Sequence, residues 1–390
     1  MYDFDKKIDR KNSNSYKWDS IDYELPMWVA DMDFECFPGI IKSIKERLNN
    51  PVFGYSITPL EYYDAYISWF KRRHDVEIKK DWIFYSTGVV PTISSTVRKL
   101  SNIGDNVLIL SPVYNIFYNS IINNNRHVLA CNLVYENGNY DIDYKDLENK
   151  LSDPKTTLFI FCNPHNPVGK IWKKEELERI GNLCIKYHVT ILSDEIHCDI
   201  VSPGVKYNSF LLMNDEIKNN LVVAISATKC FGIPGLQSSA VVIPNEDLRK
   251  RVNRQLNTDE CAEGNVFAYN PIIEAFNHGE EWVDSMNAYV YENKKVFYEM
   301  LKDTDLTIIK SDALYLVWVD ISKYTKEDVL FRDFLANHTG LYVSDGTEYG
   351  INGKGFLRIN LATQRDNVIE AAKRLTLGLK LFREKNNEAN

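Results

Sequence analysis

Short runs of apolar residues recur along the middle of the chain and predict buried strands. Between about residues 80 and 245 these runs stand at 82–85, 107–110, 128–133, 157–162, 190–192, 221–225 and 240–243. Between several of them, apolar residues recur at steps of three and four, as from Val90 to Leu100, which is typical of helices. Continuous Val, Ile and Leu strands that alternate with helices indicate a largely parallel sheet covered on both faces.

The pattern changes near residue 280. A long helix is predicted at 281–302, followed by strands at 306–309, 314–319 and 355–361 and a last helix at 366–382. This order of elements is of the α+β kind and indicates a second, smaller unit. We therefore predict an α/β protein with a large domain at 46–280 and a small domain made of 1–45 and 281–390.

Composition and charge limit the possible partners. The 390 residues carry a net charge of −8 without a basic run, which argues against nucleic acid or an anionic membrane as a partner. No apolar stretch reaches the roughly 20 residues that cross a bilayer, and the first residues are charged. The seven cysteines form no C-x-x-C pair, which is typical of a reducing compartment. We expect a soluble, cytoplasmic protein without a metal site.

Polar or glycine-bearing clusters follow five of the predicted strands. They are Ser86-Thr87-Gly88, Ser111-Pro112-Val113-Tyr114, Asn163-Pro164-His165-Asn166-Pro167, Ser193-Asp194-Glu195 and Ser226-Ala227-Thr228-Lys229. In open parallel sheets, ligands lie outside the carboxyl ends of the strands, so these clusters would meet in one crevice. Surface loops are generally polar, which accounts for any single cluster. It accounts poorly for a set that combines a lysine, a carboxylate, an aromatic ring and a helix start.

Three residues of this set are suited to hold an aldehyde cofactor with a charged ring. A lysine directly after a buried strand, such as Lys229, is partly desolvated, which favours the neutral amine that condenses with aldehydes. Asp194 ends a strand, where an unpaired carboxylate is costly and a protonated ring nitrogen would be a partner. Tyr114 offers a face for ring stacking. A solvent-facing lysine, an ordinary ion pair and a packed tyrosine remain the alternatives.

A phosphate site is predicted at the start of a helix. Gly88, Val89 and Val90 follow hydroxyl residues and begin a helical pattern, which leaves their backbone N–H groups free to hold an anion. Ser226 and Thr228 add two hydroxyl groups beside the lysine. Most capped helices bind nothing, but together with the lysine and the aspartate these groups match the needs of pyridoxal 5'-phosphate. Glycine-rich dinucleotide and P-loop motifs are absent from the sequence.

Successive motifs resemble those of fold-type I pyridoxal-phosphate enzymes, the class I/II aminotransferase superfamily. They are Asn166-Pro167-Val168-Gly169, Ser193-Asp194-Glu195-Ile196-His197, the run from Ser226 to Leu236 and Gly355-Phe356-Leu357-Arg358-Ile359-Asn360. The run from Leu25 to Phe34, Val52-Phe53-Gly54-Tyr55 and the Asp-Glu-Ile-His run resemble the MalY/PatB cystathionine β-lyase branch. The motifs stand in the family's order and span nearly the whole chain. The resemblance implies a large domain with a mostly parallel sheet and a smaller α+β domain.

The resemblance also implies a role for each site residue. Lys229 would carry the cofactor and move the substrate's Cα proton. The other cofactor contacts would be Asp194 at the ring nitrogen, Asn166 at the ring hydroxyl, Tyr114 and His197 beside the ring, and Gly88, Val89, Val90, Ser226 and Thr228 at the phosphate. Tyr55 would reach that phosphate from the neighbouring subunit of a homodimer. Arg358 would bind the substrate carboxylate, with Val29 and Asn166 as further substrate contacts. The alternating strand around Arg358 also fits a solvent-facing side chain.

Two positions depart from the typical aminotransferase pattern. Gln237 stands eight residues after the lysine, where many aminotransferases have an arginine, and His197 stands where they commonly have a tyrosine. Both differences favour the lyase branch. We therefore expect a carbon–sulfur β-lyase that cleaves cystathionine or another cysteine S-conjugate to a thiol, pyruvate and ammonia. The alternatives are an aminotransferase and, more remotely, a non-catalytic regulatory protein on the same fold.

Overall fold

Residues 2–388 of the chain are described by a computed structural model. The α-helices are α1 (Tyr16–Asp19), α2 (Pro38–Leu48), α3 (Leu60–His74), α4 (Val89–Leu100), α5 (Asn115–Ile122), α6 (Tyr144–Leu151), α7 (Lys174–Lys186), α8 (Asp215–Lys218), α9 (Glu246–Thr258), α10 (Tyr269–His278), α11 (Glu280–Leu301), α12 (Asp328–Thr339) and α13 (Arg365–Glu388). The strands are β1 (Leu25–Pro26), β2 (Ile83–Ser86), β3 (Asn106–Ser111), β4 (His127–Asn132), β5 (Val134–Glu136), β6 (Asn139–Asp141), β7 (Thr156–Cys162), β8 (Thr190–Asp194), β9 (Leu221–Ile225), β10 (Ser239–Val242), β11 (Thr307–Ile308), β12 (Leu316–Asp320), β13 (Leu341–Tyr342), β14 (Ser344–Asp345) and β15 (Phe356–Asn360). None of these helices has the length and hydropathy of a bilayer span.

Seven strands form the large central sheet, in the order β2-β10-β9-β8-β7-β3-β4. Neighbouring strands are parallel except at β10, which runs antiparallel to both β2 and β9. Alternate residues of a strand enter different apolar cores, as Val222 and Ala224 do on one side and Val223 and Ile225 on the other. Both faces are therefore covered, which explains the continuous apolar runs and confirms the predicted mostly parallel α/β sheet.

The second sheet has four antiparallel strands, in the order β11-β12-β15-β14. Its apolar face packs against α11, α12 and α13 through residues such as Phe297, Leu335 and Leu375. The N-terminal part of the chain joins this unit, since β1 pairs in parallel with β13. Helix α2 instead packs against α10.

The division into a large domain at 46–280 and a small domain of 1–45 with 281–390 stays a proposal. Residues 1, 389 and 390, which the small domain includes, lie outside the described residues. Helix α11 begins at Glu280 and leads from the α10 side of the large sheet into the core of the small one.

The direction of the strands brings the predicted polar clusters together. Strands β2, β3, β7, β8 and β9 all run the same way, so their carboxyl ends lie at one edge of the large sheet. Each of the five clusters follows one of these strands. The antiparallel strand β10 ends at the opposite edge and carries no predicted site residue. The crevice beyond this edge is therefore the place to look for a functional site.

Candidate active site

The amine of Lys229 lies beyond β9 and is hydrogen-bonded to the N-terminal part of the chain. Its Nζ donates to the carbonyl oxygen of Ala30 at 2.6 Å. Burial lowers the pKa of this amine to about 8, although the charges of Asp31 and Asp194 act to raise it. An appreciable fraction of the amine is therefore neutral near neutral pH, which is the form that attacks an aldehyde.

Asp194 is a buried carboxylate that lacks a cationic hydrogen-bond partner. Its Oδ1 accepts from the backbone N–H of Ile196 at 3.1 Å, and none of the described side chains donates to it. Burial raises the pKa of Asp194 to about 7, the Ile196 N–H acts to lower it, and the charge of Glu195 adds to the rise. An unpaired carboxylate in a crevice is suited to a cationic group of a bound ligand.

The raised pKa of Asp194 predicts a pH-dependent stability of the cofactor-free protein. An unfolded aspartate titrates near about pH 3.9, so between about pH 4 and 7 only the folded state holds this proton. The free energy of unfolding then falls as the pH rises through this window, by up to about 4 kcal/mol for a shift of about three units. We expect Asp194→Asn to be the more stable protein at about pH 8, with the difference shrinking towards about pH 4.

Urea unfolding of both proteins across this pH range measures the difference directly. Asp305→Asn, which removes an exposed carboxylate bound to Arg383, is the matched control. If the stability of Asp194→Asn follows that of the parent at every pH, Asp194 is ionised normally and this account of its environment is wrong.

Arg358 is buried and points into the crevice. Its side chain donates from Nη2 to the Trp28 carbonyl at 2.8 Å and from Nη1 to Asn166 Oδ1 at 3.3 Å. The guanidinium lies over the ring of Tyr349, 4.7 Å from its centroid. Its Nε has no partner, and no carboxylate among the described side chains forms an ion pair with it. The solvent-facing alternative is excluded, and the guanidinium is free to bind a carboxylate of a ligand.

The predicted anion site lies at the start of α4. The backbone N–H groups of Gly88, Val89 and Val90 donate to no acceptor within the described residues. Helix α4 directly follows β2, which runs the same way as β9, so the start of α4 shares the sheet edge with the residues after β9. There the hydroxyls of Ser226 and Thr228, both buried, lie 2.8 Å apart. Free N–H groups at a helix start together with hydroxyls form a suitable phosphate site.

Tyr114 and His197 line the same crevice. Burial raises the pKa of Tyr114 to about 12, so its hydroxyl stays protonated, and the charges of Arg358 and Asp194 both act on it. Burial holds the pKa of His197 well below its usual range, with the charges of Lys229 and Arg358 adding to this effect. The His197 ring is therefore neutral, and its buried Nδ1 has no hydrogen-bond partner in the described part of the chain.

Residues 28–31, here called the N-terminal strap, contribute backbone carbonyls that the sequence prediction missed. The Trp28 and Ala30 carbonyls hold Arg358 and Lys229, and the Val29 carbonyl accepts from Asn360 Nδ2 at 2.7 Å. Only Val29 was predicted as a contact. Every residue has a carbonyl, so its use at a site leaves no signal in the sequence.

Tyr55 lies apart from the other predicted site residues. Its side chain is 100% exposed, and its neighbours Val52 and Ile57 are 70% and 89% exposed. Tyr55 is therefore not part of the crevice in its own chain. Large exposed apolar side chains on one segment are typical of a surface that meets another protein.

Comparisons with known proteins place the chain in a family. The family model described as aminotransferase class I and II matches residues 26–375. The chain is 37% identical over 378 residues to the cystathionine beta-lyase PatB of Bacillus subtilis, covering 94% of this chain and 97% of that protein. Cystalysin of Treponema denticola, whose structure contains pyridoxal 5'-phosphate, superposes with a TM-score of 0.95 at 30% identity, covering 97% and 99% of the two chains. A PLP-bound C–S lyase of Staphylococcus hominis superposes with a TM-score of 0.91 at 30% identity, covering 97% and 98%. The chain belongs to the class I and II aminotransferase family, as its motifs predict.

Proposed function

We propose that the chain is a pyridoxal-phosphate-dependent carbon–sulfur β-lyase, which cleaves cystathionine or another cysteine S-conjugate to a thiol, pyruvate and ammonia. The observation that carries this proposal is one crevice in which Lys229, Asp194 and Arg358 hydrogen-bond to neutral groups and, among the described side chains, none of them forms an ion pair. The similar proteins named as cystathionine β-lyase and C–S lyase support the reaction class.

The groups that line the crevice fit pyridoxal phosphate one by one. The amine of Lys229, which is hydrogen-bonded only to a carbonyl, matches the aldehyde, and the carboxylate of Asp194, which accepts only from a backbone N–H, matches the protonated ring nitrogen. The free N–H groups at the start of α4 match its phosphate. His197, with its unpartnered Nδ1, would help to hold the ring. Buried polar groups generally find partners, so the unpartnered His197 Nδ1 and Arg358 Nε in one crevice indicate a polar ligand.

Each side chain then has a defined task in the reaction. Bound pyridoxal phosphate supplies an electron sink for the carbanion that forms at the substrate Cα. Asp194 would keep the ring nitrogen protonated, and Asn166, which accepts from the guanidinium of Arg358, would also hold the ring hydroxyl. Tyr114 would hold the ring, and Ser226 and Thr228 would hold the phosphate. Val29 would contact the substrate.

Lys229 and Arg358 act on the substrate itself. Arg358 binds the α-carboxylate with its two-pronged guanidinium and so fixes the orientation of the Cα–H bond. Lys229, freed when substrate binds, removes the Cα proton. Its pKa of about 8 lies close to that of a thiol, about 8.5, so the same amine can return a proton to the departing sulfur.

An aminotransferase is the second candidate, because it shares the removal of the Cα proton. Gln237 is exposed and supplies no charge where many aminotransferases have an arginine. That difference favours the lyase. An aminotransferase requires an oxo-acid acceptor, whereas the lyase releases pyruvate from L-cystathionine without one, and this experiment separates the two. A non-catalytic protein would not be expected to keep the complete crevice.

We further propose a cytoplasmic homodimer. The seven cysteines are all free thiols, in keeping with a reducing compartment. The exposed Tyr55 and its apolar neighbours fit a subunit interface at which Tyr55 reaches the phosphate of the partner's site.

Mixing two inactive variants tests this arrangement. Lys229→Ala and Tyr55→Ala dimers are unfolded and refolded together, and activity is measured. In a mixed dimer one site keeps both an intact Lys229 and an intact Tyr55 from the other chain, so about a quarter of the parent activity should return. If Tyr55 served its own chain, no site would be intact and no activity would return.

A further inference from the structure

The carbonyl oxygen of Ala30 is shared by two side chains from distant parts of the sequence. It accepts from Lys229 Nζ at 2.6 Å and from the hydroxyl of Tyr315 at 3.1 Å. Tyr315 directly precedes β12 and is 1% exposed. Its ring packs edge-on against that of His197, with the centroids 6.1 Å apart. Burial raises the pKa of Tyr315 above its ordinary value, so the hydroxyl remains a donor at working pH.

The strap that carries this carbonyl is anchored on both sides of Ala30. Asn360 Nδ2 donates to the carbonyls of Val29 and Asp31, at 2.7 Å in both cases. The carboxylate of Asp31 forms an ion pair with Arg10 at 2.7 Å. A carbonyl between two fixed neighbours keeps its direction, so Lys229 meets a preformed acceptor.

Charges from several elements act on the amine of Lys229. The charged or titratable groups that face it are Asp31 from the strap, Asp194 from β8, His197 after β8, Arg358 from β15 and Tyr315 before β12. Burial is the largest influence on the pKa of Lys229 and lowers it, and the charge of Asp31 comes next and raises it. The strap therefore offers the ammonium form both a hydrogen-bond acceptor and a negative charge.

We propose that the Ala30 carbonyl, held by Tyr315 and backed by the Asp31 carboxylate, is the resting cradle of the free Lys229 amine. Tyr315 and Asp31 are then positioning residues for the reaction under Proposed function, on which this inference rests. During turnover the amine of Lys229 is free whenever the substrate, instead of Lys229, is joined to the cofactor. The cradle holds the amine in one position and sets the balance between the neutral form that takes the Cα proton and the ammonium form that returns it.

The test uses the purified protein freed of cofactor, the state in which Lys229 carries a free amine. The rate at which it captures added pyridoxal phosphate is followed by visible absorbance across a range of pH. Capture requires the neutral amine, so the rate rises with pH through the pKa of Lys229. Asp31→Asn removes the favourable charge, and the midpoint of this rise should move down by about 0.5 to 1 pH unit. Asp305→Asn, in an exposed ion pair with Arg383, is the control and should not move it.

Tyr315→Phe removes one hydroxyl and leaves the packing of the ring in place. The Ala30 carbonyl then accepts from the ammonium alone, while Asn360 still fixes its direction, so the midpoint should rise by about 0.3 pH unit. This shift is opposite in sign to that of Asp31→Asn, so the midpoint of the double variant should lie between those of the two single variants. Tyr187→Phe, which removes a hydroxyl bonded to Glu148 on an outer helix, is the matched control.

The outcomes separate this inference from the proposed function. The cradle is supported if the parent captures the cofactor, the midpoint of the rate's rise with pH moves in Asp31→Asn, and both controls keep the parent midpoint. If the parent captures the cofactor but the plots of capture rate against pH superimpose for Asp31→Asn, Tyr315→Phe and the controls, the cradle is overturned. The proposed function still stands in that case. A parent protein that never captures the cofactor overturns both.

Discussion

Lys229→Ala is expected to lower the rate of pyruvate release by at least about 10⁴-fold. The variant loses the amine that holds the cofactor and the base that removes the Cα proton, and no other lysine is held at the Ala30 carbonyl among the described residues. Pyruvate release from L-cystathionine and the visible absorbance of the Lys229-bound cofactor measure the two losses separately.

The control for this variant is Lys186→Ala. Lys186 is bonded to Glu148 on the outer surface, so its loss should leave both signals unchanged. A Lys229→Ala protein that releases pyruvate at the parent rate would show that another residue carries the reaction.

Arg358→Ala is expected to lower kcat/KM for L-cystathionine by about 10² to 10³-fold, through a higher KM and, because the Cα–H bond loses its orientation, a lower kcat. The guanidinium has no carboxylate partner within the described residues and donates only to the neutral oxygens of Trp28 and Asn166. A substrate carboxylate would replace these weaker contacts with charge-assisted ones. Arg358→Lys should recover only part of the loss, because an ammonium cannot form the paired hydrogen bonds.

Steady-state kinetics of Arg358→Ala and of Arg383→Ala provide the comparison. Arg383 forms an exposed ion pair with Asp305, so its replacement should change neither kcat nor KM. An unchanged KM for Arg358→Ala would mean that the substrate carboxylate binds elsewhere.

Hydrophobic periodicity predicts most of the elements that carry the site. The runs at 107–110, 157–162 and 221–225 correspond to β3, β7 and β9, because buried parallel strands are apolar on both faces. Helices at 281–302 and 366–382 correspond to α11 and α13. The convergence of the polar clusters follows from strand direction, and in the structure the charge of Asp194 acts on Lys229 while Asn166 is hydrogen-bonded to Arg358.

Hydrophobic periodicity misses two features of the fold, and each omission has a physical reason. The direction of β10 depends on how its connections cross the sheet, which the apolar pattern does not encode. The hairpin of β5 and β6 is short and largely exposed, so it lacks a clear apolar run.

Long-range contacts to the backbone are missed for a different reason. The strap reaches Arg358 across 330 positions of sequence and Lys229 across 199. Tyr315 looks like one more aromatic residue of a buried strand until its hydroxyl is located on Ala30. The sequence does not decide whether Arg358 is buried or exposed, because alternation along β15 does not show which face of the strand is covered.

The most direct test of the lyase assignment is a visible spectrum of the purified protein during addition of L-cystathionine, with pyruvate assayed in the same cuvette. We expect the absorbance of bound cofactor, its change on addition of substrate, and pyruvate release without any oxo-acid acceptor. Cofactor absorbance without pyruvate, together with turnover that depends on an oxo-acid, would contradict the lyase assignment and identify an aminotransferase.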